Sequence, residues 1–348
     1  MATKKRKFKT AADIKVGVIG YGGAFNMGRG HLNEMKKAGM TPVAVAEIDE
    51  TRLAEARKDF PGIETYNSVA KMLSTSNVDI ITIITPHNTH AKLALQCLKA
   101  GKSVVCEKPF AITTAECDAM IAEAKKKNLL LTTYHNRHWD GCVMQGLKTI
   151  KSGAIGDIVR IEAHMGKWGK PRDWWRSSKT ISGGIMYDWG VHILEYSLQI
   201  LNDDIKEVTG FAKYGFWGPK ITWKKDANED EGYAVVRFAK GEWLTIALTA
   251  IDSNPKRGMI EITGTKGSYI MDHNTWEVIK SNDDGSVTIS KGNNPPSEWW
   301  RYYQNVADHL VKGTKLVITA EWARRPIHIL DLADKSAKAG KALAAKYK

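Results

Sequence analysis

From residue 14 the chain alternates short apolar runs with amphipathic stretches. Residues 14–20 read as a buried strand ending in glycine, 27–39 as a helix, 42–47 as a second strand and 50–59 as a second helix. Residues 78–84 are rich in β-branched side chains, which favours a strand over a helix. A helix is predicted over 89–100, ending at Gly101, then a strand over 103–107, a helix over 113–127 and a strand over 129–134. Continuous apolar strands alternating with helices predict an α/β fold, a doubly wound parallel sheet covered on both faces.

The second half changes character. Strands are predicted over 157–165, 206–217, 232–240, 243–251, 257–264, 267–272 and 275–280, several joined by short glycine-containing turns such as Gly264-Thr265-Lys266-Gly267. Helical patterns return at 186–201, 297–312 and 319–342. This is the signature of an α+β domain with a mostly antiparallel sheet. The expected organisation is a disordered basic tail over 1–12, a dinucleotide-binding domain over 13–138 and a second α+β domain over 139–348. The last helix is placed to pack back on the first domain.

Bulk properties change this picture little. A length of 348 residues suits two domains. No apolar run approaches the roughly 18–20 residues of a membrane span, and the N-terminal run lacks the apolar stretch of a secretory signal. Cys97, Cys106, Cys117 and Cys142 have neither zinc nor redox-motif spacing, so the expectation is reduced thiols in the cytoplasm and no metal. The net charge of +13 raises the question of nucleic acid, but eight of those charges sit in residues 1–10 and 331–348. Charge at chain ends reads as solvated tails, so no nucleic-acid or membrane partner is expected.

Gly20-Tyr21-Gly22-Gly23-Ala24 follows the first strand and precedes a helix, the context in which glycines let a pyrophosphate approach the backbone. The third small residue of the usual fingerprint is replaced by Phe25; Gly28 serves instead if the loop is about three residues longer. Glu47 ends the second strand, where an acid binds the adenosine ribose hydroxyls. Ile48 follows rather than arginine, which favours NAD over NADP.

Three places carry candidate chemistry. Glu107-Lys108-Pro109 ends a parallel strand, the end at which such sheets bind ligands. Asn136 and Arg137 follow the next strand. Asp188, His192 and Glu195 are spaced i, i+4 and i+7, one face of a helix; the acids could orient a hydroxyl and the histidine accept its proton. A histidine held by helical carboxylates for structural reasons has the same spacing. Trp175 and Arg176 lie just before, in a chain with 12 tryptophans; aromatic planes stack on sugar rings and Arg donates to hydroxyls.

Together these motifs resemble the glucose–fructose oxidoreductase / inositol dehydrogenase family, Gfo/Idh/MocA. The resemblance runs from Ile14 to about Leu343. It is carried by the glycine turn ahead of His31, by Thr85-Pro86-His87-Asn88-Thr89-His90, by Glu107-Lys108-Pro109, by Gly153-Ala154-Ile155-Gly156, and by Gly183-Gly184 through Glu195.

The resemblance implies a Rossmann domain followed by an α+β domain with a large open sheet, through which a homo-oligomer, dimer or tetramer, would form. It implies that Lys108, Asp188 and His192 are catalytic. His192 would take the proton of a substrate hydroxyl as hydride leaves for the nicotinamide. Lys108 would bond the same oxygen, and Asp188 would orient the pair. The NAD site would draw on Gly20, Gly22, Gly23, Ala24, Phe25, Asn26, Glu47, Thr85, Pro86, Asn88, His90, Glu107, Lys108 and Asn136. Lys108, Arg137, Trp175, Arg176, Asp188, His192 and Glu195 would meet a small carbohydrate or cyclic polyol. Glu195 stands where the family usually has Asp. Two alternatives stay open: a glycoside-cleaving enzyme that oxidises its substrate transiently on bound NAD, and a sensor that binds without turnover.

Overall fold

A computed structural model describes residues 8–22, 26–254 and 256–347. Gly23, Ala24 and Phe25 of the glycine turn, and residues 1–7 of the basic tail, lie outside the described residues. The tail was expected to be disordered through residue 12. Instead Phe8 is buried and Ala11–Asp13 forms a 3-10 turn, with the Asp13 carboxylate accepting the backbone N–H groups of Lys9 and Thr10.

The described residues form two compact units. One ends at Asn136 and takes in Trp300–Arg324; the other covers Arg137–Trp299 and continues from Arg325.

The first unit is built on six parallel strands: β1 (Lys15–Ile19), β2 (Thr41–Ala46), β3 (Glu64–Tyr66), β4 (Ile80–Ile83), β5 (Ser103–Cys106) and β6 (Leu131–Thr133). Their order is β3-β2-β1-β4-β5-β6, the Rossmann order, with its reversal between β1 and β4. All four residues of β4 are buried, as a strand covered on both faces requires. The connecting helices are α1 (Met27–Lys37), α2 (Glu50–Asp59), α3 (Val69–Thr75), α4 (His90–Lys99) and α5 (Thr114–Lys127). Helix α5 shows why such segments begin and end where they do. Thr113 and Glu116 form a reciprocal capping box, three lysines fill the last turn, and Asn128 closes it in the left-handed conformation. Strand β3 and helix α3 escaped the pattern reading because each is short.

The helix expected at 297–312 is present as Arg301–Lys312 (α9 below), but it belongs to the first unit. Tyr302 and Tyr303 explain this. Both are fully buried; the Tyr302 hydroxyl bonds Thr132 Oγ1 at 3.2 Å, and that of Tyr303 bonds His31 Nδ1 at 2.7 Å and Thr82 Oγ1 at 3.1 Å. Burying an aromatic side chain contributes roughly 1.5–3 kcal/mol, and here the hydroxyls are satisfied as well.

The second unit begins with α6 (Gly141–Lys151), unread in the sequence, and holds a nine-stranded sheet. The strands are β7 (Ile158–Gly166), β8 (Ile205–Lys213), β9 (Glu231–Phe238), β10 (Trp243–Thr249), β11 (Ile260–Gly264), β12 (Gly267–Met271), β13 (Thr275–Ser281), β14 (Val287–Asn293) and β15 (Leu343–Ala344). The order is β14-β13-β12-β11-β7-β10-β9-β8-β15. Every pairing is antiparallel except β7 with β10. The short helix α7 (Lys179–Ser182) precedes α8 (Gly190–Ile200). Helices α6 and α8 cover one face, α6 on β12 and β13, α8 on β7 and β10. Helix α9 (Arg301–Lys312) and then α10 (Ala320–Ala339), which contains Pro326, complete the chain's regular elements before β15.

Candidate active site

In the first unit, the carboxyl ends of five strands, β1, β2, β4, β5 and β6, carry the sequence-derived residues. Gly20 follows β1, and a side chain there would strike the Ile84 carbonyl beyond β4. Gly28, in the first turn of α1, would place a Cβ 2.7 Å from both the Gly20 carbonyl and Tyr21 Cα. Gly28 therefore performs the close helix–strand packing that the misplaced Phe25 cannot. Asn26 is exposed and left-handed, φ 49°, immediately before the helix, a conformation asparagine tolerates. The first turn of α1 carries no acidic residue, so its free N–H groups and the helix dipole favour an anion. This strand–glycine–helix cradle at the reversal of strand order fits a dinucleotide.

Glu47 stands at the end of β2 as expected, but its carboxylate is partly engaged. Oε2 accepts the Tyr21 N–H at 2.9 Å, and Oε1 accepts those of Ile48 and Asp49 at 2.7 and 3.2 Å. A carboxylate has about four acceptor positions, so one on Oε2 remains for a hydroxyl. Sequence reading missed Arg52, which lies over Gly22 and pairs with Asp49 at 3.7 Å. Its signal was an arginine in the first turn of α2.

After β4, Thr85 and Thr89 bond through their hydroxyls, Pro86 accepts from Thr89, and Asn88 is exposed. His90 is fully buried. The carbonyl oxygens of Pro109 and Thr85 face its two ring nitrogens at 2.8 Å each. Its place is thus between two loops, holding them together through both ring nitrogens, where a direct cofactor contact was expected. Burial pushes its pKa down, and the bonds to Pro109 and Thr85 only partly offset this.

Glu107 is likewise built into the scaffold. Oε1 meets His31 Nε2 at 3.0 Å and Oε2 accepts the Lys108 N–H at 2.8 Å. Burial pushes the carboxyl pKa up, but His31 and Lys108 outweigh it and hold it below the ordinary range. Lys108 itself is half-buried, as is Asn136.

In the second unit, Asp188 and His192 do not share a helix. A 3-10 turn, Ile185–Tyr187, comes first, Asp188 closes it, and α8 starts at Gly190. Asp188 lies 3.6 Å from the Arg176 guanidinium, whose charge sits 4.9 and 4.7 Å from the Trp174 and Trp175 rings. Buried His192 is 5.4 Å, ring to ring, from Trp189, and Trp189 carries the Arg137 guanidinium at 4.8 Å. Trp299 lies 5.2 Å from the same guanidinium, and buried Asp140 accepts from both Arg137 and Trp299. Trp189 and Asp140 were not singled out from sequence; closeness to Asp188 and Arg137 was the available signal, and Trp299, far along the chain, had none.

Glu195 is enclosed by protein. It is 1% exposed, with Oε1 2.6 Å from His138 Nδ1 and Oε2 accepting from Gln199 at 3.0 Å. The carboxylate is thus engaged by protein partners on both oxygens, His138 and Gln199.

Residues 14–135 match the model of an oxidoreductase family described as having an NAD-binding Rossmann fold, and residues 144–270 match the GFO/IDH/MocA C-terminal domain. The chain belongs to the GFO/IDH/MocA oxidoreductase family. Among its relatives in that family is a scyllo-inositol 2-dehydrogenase (NADP(+)), IolW, of Bacillus subtilis, 24% identical over 96% of both chains. A myo-inositol 2-dehydrogenase of Thermotoga maritima is 29% identical over 75% of each. In fold, the chain resembles levoglucosan dehydrogenase solved with NADH and levoglucosan, with a TM-score of 0.80 at 20% identity, covering 96% of this chain and 99% of that one. This GFO/IDH/MocA member is therefore an oxidoreductase with an NAD-binding Rossmann domain. Among its described residues no helix is long and apolar enough to cross a membrane.

Proposed function

We propose that this chain oxidises a ring hydroxyl of a sugar or cyclic polyol, with Lys108, Asp188 and His192 as the working groups. The observation that carries this reading is the surround of Asp188 and His192. A carboxylate beside Arg176 and a histidine beside Trp189 are flanked by Trp174, Trp175 and Arg137. Apolar ring planes and hydroxyl-bonding groups together suit a carbohydrate better than a flat aromatic or a long acyl chain. The relatives named as inositol and levoglucosan dehydrogenases point the same way.

Gly20, Gly22, Asn26, Glu47, Thr85, Pro86, Asn88, Lys108 and Asn136, with the N-terminus of α1, would hold NAD, which supplies the hydride acceptor. The imidazole of His192 takes the proton of the substrate hydroxyl as that carbon is oxidised. The Lys108 ammonium donates to the same oxygen and so eases proton loss. Asp188 orients the base and takes a share of its charge, while Arg176, 3.6 Å away, holds Asp188 in place. Trp175, Arg176 and Arg137 bind the ring.

A panel of cyclic polyols, monosaccharides and glycosides, each mixed with NAD and with NADP, tests this by absorbance at the reduced nicotinamide band. Net reduced cofactor with a polyol or sugar is the expected result. Aglycone release without net reduced cofactor supports transient oxidation instead, and binding without either product supports a sensor.

We further infer a homo-oligomer, dimer or tetramer, through the open face of the large sheet. Phe211, Tyr233 and Ala247 stand in register across β8, β9 and β10 on that face, and Phe211 is 57% exposed. Val287 and Ile289 of the edge strand are also exposed. Light scattering of the intact protein decides this: a lone monomer at micromolar concentration contradicts it. Four buried free thiols fit a reducing compartment, and on that ground we place the protein in the cytoplasm.

A further inference from the structure

Between Arg176 and Asp188 the chain makes almost no regular structure. It passes a 3-10 turn, one turn of α7, two glycines and a second 3-10 turn. Short pieces of this kind do not hold a side chain in place unaided. Yet Asp188 and, four residues on, His192 depend on this path.

One polar segment, 226–229, grips the path along its length. Asp226 accepts from the Ser178 hydroxyl and, at 2.6 and 3.0 Å, from the hydroxyl and N–H of Thr180. Asn228 donates to the Arg176 carbonyl at 2.7 Å, its N–H reaches the Ser177 carbonyl at 3.0 Å, and its side-chain oxygen accepts from Ser182 at 3.1 Å. Glu229, 6% exposed, pairs with Lys179 through Oε1 and accepts the Ile185 N–H at 3.0 Å through Oε2. The Tyr214 hydroxyl adds a bond to Oε1 at 3.2 Å, and Lys179 reaches Asp334 at 3.0 Å.

The pair also explains Gly184. Its φ is +131°, and a Cβ there would lie 2.7 Å from both Glu229 Oε2 and Lys179 Nζ. Bare backbone lets the carboxylate reach the Ile185 N–H, three residues before Asp188. Burial lowers the Lys179 pKa, but Glu229 and Asp334 raise it by more, so the ammonium stays charged.

We propose that Asn228 and Glu229 are positioning residues: they set where Asp188 and His192 stand, without touching substrate. This rests on the reading that Asp188 and His192 do the chemistry. Glu229→Gln presents an amide N–H₂ to the Lys179 ammonium, donor against donor, or turns its oxygen there and loses Ile185. Lys179→Met added to it removes the conflict and leaves the Ile185 bond available. Asn228→Ser is a milder variant that removes the bond to the Arg176 carbonyl.

The test compares Glu229→Gln, Asn228→Ser and the Lys179→Met/Glu229→Gln double variant with the full-length protein. Hydrogen–deuterium exchange is read over 183–192, with NADH binding as a folding check and turnover on whichever polyol the panel identifies. The single variants are expected to lose protection in 183–192 while NADH still binds. Their kcat should fall by about 10²-fold with KM nearly unchanged, the scale a small misplacement costs. The double variant should recover about tenfold of that loss. Unchanged exchange over 183–192 in variants that bind NADH overturns the proposal. So does a kcat loss that only follows the fraction unfolded. If His192→Ala itself keeps full turnover, the reading of the catalytic group has failed, a different failure from unchanged exchange.

Discussion

The carboxylate of Glu107 joins two elements far apart in sequence: Oε1 lies 3.0 Å from Nε2 of His31, while Oε2 accepts the N–H of Lys108. The ring of His31 continues the chain to Tyr303, and Tyr303 to Thr82. The residue next to the proposed lysine is thus an anchor for it. Glu107→Ala removes the acceptor for the buried His31 ring and for the Lys108 N–H and should cost about 3 kcal/mol, the scale for breaking a buried pair. Urea unfolding followed by tryptophan fluorescence measures it. A loss under about 0.5 kcal/mol would show that the bond has no structural consequence.

His90 makes stability depend on pH. Its folded pKa lies below the ordinary 6.5 because burial disfavours the charged ring. A depressed histidine contributes stability that is fully present above the unfolded value and is lost as pH falls from there through the folded value. Thermal unfolding midpoints should therefore drop on going from pH 7 to pH 5. His90→Gln, whose amide N–H₂ can donate to the Thr85 or Pro109 carbonyl without titrating, should flatten that slope. Equal slopes in the two proteins would assign the pH dependence to other groups.

Glu195 separates a structural carboxylate from a substrate ligand. Glu195→Gln should lower the thermal midpoint, because the His138 bond is weakened in a site that is 1% exposed. KM for the substrate should stay within about threefold, since no uniform binding interaction is removed. A tenfold rise in KM at an unchanged midpoint would instead place this side chain against the substrate.

The Rossmann half was legible because its strands are apolar throughout and its helices amphipathic, so period and length decide the element. What was not legible depended on partners far along the chain. Arg301–Lys312 reads as an ordinary helix of the second domain until Tyr303 is seen bonding His31, 272 positions away. The partner of Glu195 was hidden for a related reason. The spacing of Glu195 from His192 is helical, but spacing says nothing of His138, 57 positions earlier, which takes the carboxylate. Gly28 shows the opposite case: a longer loop was readable from Phe25 standing in the wrong place, and the structure puts Gly28 against Gly20. Residues 226–229 carried no motif, since their work is hydrogen bonding to another segment and any short polar run looks alike in sequence.

The central claim is that His192 receives the proton of a substrate hydroxyl. The most direct measurement is turnover by His192→Ala on the best polyol of the panel, with NADH binding measured on the same preparation. A general base contributes about 10²–10⁴-fold, so kcat should fall within that range while NADH affinity is kept. Turnover close to wild type with intact NADH binding would contradict the assignment.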